Sequence, residues 1–164
     1  MSQIRFVEAN IVDAFERGEE IVHCVSSDFA MGVGVARTLA DINPSMRSFL
    51  RKEHPLPKTV KDFAPFTAVW SEGDKCIYNL VTKYLCFHKP TLDTLRTSIM
   101  TLGSILERKY KDDDIIKISM PMIATGCDKM HWCKVEKLLT ELLSDKVVIT
   151  VYVYNPRRKR IDLK

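Results

Sequence analysis

Two apolar runs in this sequence end on groups that do chemistry. Val81-Thr82-Lys83 closes one run on an amine. Ser119-Met120-Pro121-Met122-Ile123-Ala124-Thr125-Gly126-Cys127-Asp128 closes another on a carboxylate. A neutral lysine amine is a nucleophile toward electrophilic carbon, and a carboxylate beside it can move protons. Strand-to-loop junctions of this kind are where α/β folds place their ligands. A third segment, Ser26-Ser27-Asp28-Phe29-Ala30-Met31-Gly32-Val33-Gly34-Val35-Ala36, supplies a glycine-containing turn that lets backbone N–H groups approach phosphates. The three segments together predict a pocket for a phosphate-bearing ligand with an amine and a carboxylate at its side. Each is weak alone. A strand-end lysine is usually solvated, Asp128 can equally cap the helix that follows, and Gly32 and Gly34 can serve only a tight turn.

The elements that must position these groups read from periodicity. Ile4-Arg5-Phe6-Val7 is a short first strand, and Ile11 to Arg17 a brief helix closed by Gly18. Ile21 to Val25 is a continuous apolar run, expected of a central strand buried on both faces. A helix is expected over Val35 to Asp41, and a second to about Glu53 with Asn43 as N-cap and Pro44 at its first position. Three prolines make 54–65 a surface connection. Phe66 to Trp70 and Lys75 to Val81, separated by Ser71-Glu72-Gly73-Asp74, predict an antiparallel hairpin. Leu92, Leu95, Ile99, Leu102 and Leu106 form one helical stripe. Ile115 to Met120 is a buried strand, Trp132 to Leu142 an amphipathic helix, and Val147 to Tyr154 a last strand rich in β-branched residues. The order β-α-β-α-α-β-β-α-β-α-β predicts a three-layer α/β/α sandwich around a mixed, mostly parallel central sheet.

With 164 residues, 46% hydrophobic and 28% charged, the chain has the composition of a single soluble domain with a sizeable core. No apolar run is long enough to span a bilayer, and Met1 to Arg5 lacks the layout of a signal peptide, so no membrane partner and an intracellular, nuclear or cytoplasmic location are expected. Five cysteines at irregular spacing read as reduced, core-packed thiols. Cys127, His131 and Cys133 lack the second pair that a zinc site needs, and no metal is expected. His23 reads as a satisfied core histidine and His88 as a hydrogen-bonded structural residue. In the last ten residues, Arg157, Arg158, Lys159, Arg160 and Lys164 against Asp162 carry the whole net charge of +4. A solvated terminus is the plain reading of that tail. Weak nucleic-acid contact or nuclear targeting is its functional alternative.

In the order His23-Cys24-Val25-Ser26, Met31 to Ala36, Val81 to Lys83, His88-Lys89-Pro90-Thr91, Ser119 to Pro121 and Gly126 to Asp128 before Trp132, the sequence closely resembles macro domains. Among them it looks most like the terminal ADP-ribose protein glycohydrolases, which also deacylate O-acyl-ADP-ribose. The resemblance implies a macro domain over 1–154 with a basic tail at 155–164, acting as a monomer without a cofactor. It implies ADP-ribose and mono-ADP-ribosylated proteins as partners, Lys83 as nucleophile and Asp128 as the catalytic aspartate. The ligand would touch Asn10, Ile11, Ser26, Phe29, Met31, Gly32, Gly34 and Val35 on one side. On the other it would touch Thr82, Pro121, Ile123, Ala124, Thr125, Gly126 and Cys127. Phe29 is read as closing over the distal ribose, with core packing as the alternative.

Two departures from the family pattern stand out. Ala9-Asn10 occupies the place of a Gly-Asp pair whose aspartate accepts from the adenine amino group. Ala124 replaces the first glycine of a Gly-x-Gly-Leu loop, which costs backbone freedom if that position needs positive φ. A non-catalytic ADP-ribose reader and an ADP-ribose 1″-phosphate phosphatase are the alternative functions that the same cleft would suit.

Overall fold

Runs of β-branched and aromatic residues become six strands, and the three- and four-step apolar stripes become helices. The structure, a computed structural model, describes residues 3–154, so the tail at 155–164 lies outside the described residues. In chain order the elements are β1 (Gln3–Glu8), α1 (Ile11–Glu16), β2 (Ile21–Ser26), α2 (Gly34–Ile42) and α3 (Met46–Glu53). A short 3₁₀ turn (Val60–Asp62) leads to β3 (Phe66–Glu72) and β4 (Lys75–Lys83), then α4 (Leu92–Lys109), β5 (Ile116–Pro121), α5 (Trp132–Leu142) and β6 (Val147–Val153).

The six strands form one sheet in the order β1-β6-β5-β2-β4-β3. Only β3 runs antiparallel, paired with β4 as the expected hairpin; the other pairings are parallel. Because successive strand residues face opposite sides, the sheet feeds two cores. Val22, Tyr78, Leu80, Ile118 and Ile149 pack under Leu95, Ile99 and Leu102 of α4 and Val135 and Leu139 of α5. Ile21, Val25, Ile77 and Val81 pack under Ala14 and Phe15 of α1, Leu39 of α2 and Leu50 of α3. The result is the expected three-layer sandwich.

One feature of the sheet decides where a ligand can go. β2 and β5 pair through a single register, Ile21 with Ser119, and beyond it their ladder stops. β2 leads through α2 and α3 to β3 and β4 on one side, whereas β5 leads through α5 to β6 on the other. Between them lies the topological switch point, where α/β sheets open a crevice at the carboxyl ends of their strands.

Helix ends follow local chemistry, with one correction. Thr91 and Thr94 form a reciprocal capping box at the start of α4. Asn43, expected as the N-cap of the third helix, instead closes α2: its side-chain amide donates to the Leu39 carbonyl at 2.9 Å. Pro44 then lies in a turn, and α3 begins at Met46 with Ser45 at its cap position. The orphan carbonyls of α2 compete for Asn43 and win.

Candidate active site

β4 ends on Lys83, and the loop between β5 and α5 carries Asp128 across the crevice to meet it. Lys83 Nζ donates to Asp128 Oδ1 at 2.9 Å, and the two side chains are only 14% and 11% exposed. Asp128 is not a helix cap: α5 starts at Trp132, and His131 at its cap position makes no side-chain bond. A second tie joins the same two loops, from Lys89 Nζ to the Cys127 carbonyl at 2.5 Å. Cys24 lies on the cavity wall nearby. Burial, then the Asp128 charge, pushes its thiol up to about 12, so it stands there neutral.

The pair opens on a cavity of about 330 Å³. One wall is Met31 to Ala36, including the N-terminus of α2, whose cap residue Val33 offers no side-chain bond. The first N–H groups of that nine-residue helix therefore have no capping side chain to accept from them. Gly34 starts the helix at φ +61, a conformation that glycine adopts without strain. The facing wall runs from Pro121 to Ala124 and from Gly126 to Asp128.

The loop before α2 is bent twice through left-handed residues, Phe29 at φ +48 and Met31 at φ +47. It is tied down from three sides. Asp28 Oδ1 accepts from Ser26 Oγ at 2.5 Å and from the Ala30 N–H at 3.1 Å, and its Oδ2 accepts from the Cys86 N–H at 3.0 Å. Burial alone would raise the Asp28 carboxyl; these hydrogen bonds outweigh it and hold it below its usual range. From α3, Arg51 donates to the Asp28 carbonyl and Arg47 to the Met31 carbonyl, each at 3.0 Å.

A second cavity of about 590 Å³ adjoins the first, sharing Gly34, Val35, Pro121 and Met122 with it. Asn10, Ile11, Arg37 and Tyr152 are among its walls. Asn10 caps α1, its Oδ1 accepting from the Val12 N–H at 3.0 Å, so its carbonyl is already engaged and its Nδ2 amide is the group left over.

The sequence is 28% identical over 152 residues to the ADP-ribose glycohydrolase OARD1 of Bos taurus, a match that covers 92% of this chain and 91% of the relative. The Homo sapiens protein of the same name is 27% identical over 152 residues, with the same coverage. No protein-family model matches the chain. The fold superposes on the macrodomain of Thermus aquaticus DarG with a TM-score of 0.73 at 21% identity, covering 93% of this chain and 99% of that one. The chain has the macro-domain fold.

Within this fold, most of the sequence-expected ligand residues gather at the two cavities. Ser26, Met31, Gly32, Gly34, Val35, Pro121, Ile123, Ala124, Gly126 and Cys127 line the first together with Lys83 and Asp128. Asn10 and Ile11 line the second. Three residues stand apart. Phe29 is fully buried in the core beneath α3, its ring beside that of His54, and does not close over the cleft. The left-handed bend at this residue turns its ring inward. Thr82 is buried in β4. Thr125 folds its hydroxyl back onto the Met122 carbonyl at 2.7 Å, closing the turn rather than lining the cavity.

Ala124 does sit at φ +63, so the position where the family pattern has glycine needs the left-handed region here too. The cysteines divide, contrary to the core-packed expectation: Cys76 is buried and Cys24 half-buried, but Cys86, Cys127 and Cys133 are exposed. Among the described residues no group of three His, Cys, Asp or Glu is placed to hold a metal ion. His23 is buried, bonds Asn79 Oδ1 through Nε2, and leaves Nδ1 without a hydrogen bond, so it is only half satisfied. Reading by segments missed Asp28 as the tie between loops. The signal was present, since an acid two residues after Ser26 and two before Ala30 is Asx-turn spacing.

Proposed function

We propose that this macro domain hydrolyses ADP-ribosyl esters, releasing ADP-ribose from acidic side chains of modified proteins and acetate from O-acetyl-ADP-ribose. The observation that carries this reading is the half-buried Lys83–Asp128 pair at the parting of β2 and β5. A protein that only binds ADP-ribose has no use for a nucleophile and a proton acceptor held 2.9 Å apart. The names of its bovine and human relatives support the same reading.

The diphosphate would lie at the uncapped N-terminus of α2, where backbone N–H groups and the helix dipole favour anions. The base would fill the second cavity and the distal ribose would reach Lys83. Asp128 Oδ1 takes a proton from Lys83 Nζ and frees its lone pair. Nζ attacks the anomeric carbon as the bond from that carbon to the ester oxygen breaks, and the carboxylate leaves with the electron pair. The ribose ring opens as the carbon–nitrogen adduct becomes an imine. Water then adds to that carbon, Asp128 manages its proton, the carbon–nitrogen bond breaks, and ADP-ribose departs with Lys83 restored. These bonds call for no cofactor.

The test separates binding from turnover. Lys83→Ala is expected to lose at least about 10³-fold in ester hydrolysis while binding ADP-ribose within a few-fold of wild type. Hydrolysis by Lys83→Ala at the wild-type rate would contradict the covalent route. ADP-ribose binding by both proteins without hydrolysis by either would leave a reader.

A further inference from the structure

We propose that the loop following β4 docks the polypeptide that bears the ADP-ribosyl ester, with Phe87 as the anchoring side chain. This rests on the ester-hydrolase reading above and adds what recognises the leaving group.

The cleft has a direction. Its two cavities meet at Gly34, Val35, Pro121 and Met122, whereas Lys83 and Asp128 line only the first. A ligand threaded through both therefore presents its reacting end at Lys83, and whatever is attached there continues outward. Cys86 forms the wall at that end. The next residue, Phe87, is 75% exposed, the most exposed large hydrophobic side chain among the described residues.

An isolated surface aromatic is ordinary, but this one is held in place. Ser27 Oγ donates to the Tyr84 carbonyl at 2.6 Å, the Cys86 N–H to Asp28, and the His88 N–H to the Leu85 carbonyl at 3.0 Å. The Phe87 ring stands edge-on to His88, with centroids 4.8 Å apart and planes at 79°. His88 in turn lies 6.0 Å from Tyr84, and Tyr84 lies 6.3 Å from Phe63. A preorganised aromatic beside the reacting end is the kind of anchor that carries binding energy, because little side-chain freedom is lost on contact. Charge fits the same partner. Lys89 follows on the same loop and Lys129 is exposed on the facing one, so the carboxylate that forms as the ester bond breaks leaves through a positively charged exit. An acetyl ester has no chain beyond its methyl group to make contacts along this loop.

The two ester substrates therefore read the loop separately. Wild type, Phe87→Ala and Phe87→Tyr are compared on a glutamate-linked mono-ADP-ribosylated protein and on O-acetyl-ADP-ribose esterified at its anomeric oxygen. Phe87→Ala is expected to lose about tenfold in kcat/KM on the protein substrate, through KM, with the acetyl ester unchanged and Phe87→Tyr close to wild type. Equal losses on both substrates would make the loop a structural support and overturn the docking role, as would no loss on either. Wild-type protein that hydrolyses neither ester would contradict the hydrolase reading, and the docking role with it.

Discussion

Two side chains at the site carry costs that the rest of the chain supports. Lys83 and Asp128 are brought out of water together, which is favourable only because each is the other's partner at 2.9 Å. Ala124 holds φ +63 at the lip of the same loop, a conformation that costs a residue with a Cβ about 1–2 kcal/mol. Its backbone is fixed by the Met130 N–H, which donates to the Ala124 carbonyl at 2.8 Å. Ala124→Gly is therefore expected to raise unfolding stability by about 0.5–1 kcal/mol, less than the full strain because glycine also loses more chain entropy. Urea titration of the two proteins measures it, and a lower midpoint for the glycine variant would contradict the strain. The sequence exposed this substitution as a departure, and both reactive groups were legible at their strand ends. Phe29 was not, because nothing in its neighbours signals the left-handed bend that turns its ring into the core.

Among the elements, the short loop between β2 and α2 depends most on others for its shape. Its two residues with positive φ and the turn closed by the Phe29 N–H on the Ser26 carbonyl would not by themselves fix it. Asp28 binds it to itself and to the loop after β4, while Arg47 and Arg51 of α3 grip its carbonyls. Asp28→Ala is expected to weaken ADP-ribose binding about five- to tenfold by loosening two walls of the cleft at once, with a loss of stability of about 1–2 kcal/mol. Calorimetric titration with ADP-ribose decides it, since an unchanged affinity would show that the loop holds without the carboxylate. Strand and helix identities were legible because each has a clear two- or three-to-four-residue apolar period. The boundary at Asn43-Pro44 was not, since the same pair suits the end of one helix and the start of the next.

For the whole molecule, the sheet has its reactive groups where its topology allows a crevice, with one core packed on each of its faces. His23 in β2 lies 2% exposed on one of those cores, and burial lowers its pKa from 6.5 to about 4. Between these values the unfolded chain binds a proton that the folded chain does not, so stability rises with pH across that window and falls on acidification. The expected loss from this residue is roughly 1 kcal/mol per pH unit between pH 6.5 and 4, or about 2–3 kcal/mol in all. Urea midpoints of wild type and His23→Gln across that range test it; parallel pH profiles would rule the histidine out. The parting of β2 from β5 after one paired register was beyond reach of the sequence, because ladder length between strands that are not consecutive in the chain leaves no local pattern.

The central claim is that Lys83 becomes covalently attached to the ribose. Wild type and Lys83→Ala are incubated with glutamate-linked mono-ADP-ribosylated protein in the presence of a hydride donor that reduces imines, and each enzyme is weighed intact. The account predicts an ADP-ribose-sized mass increase on wild type, located at Lys83 by peptide fragmentation, and none on the variant. ADP-ribose release by wild type with no trapped mass, or an adduct that survives in Lys83→Ala, would contradict it.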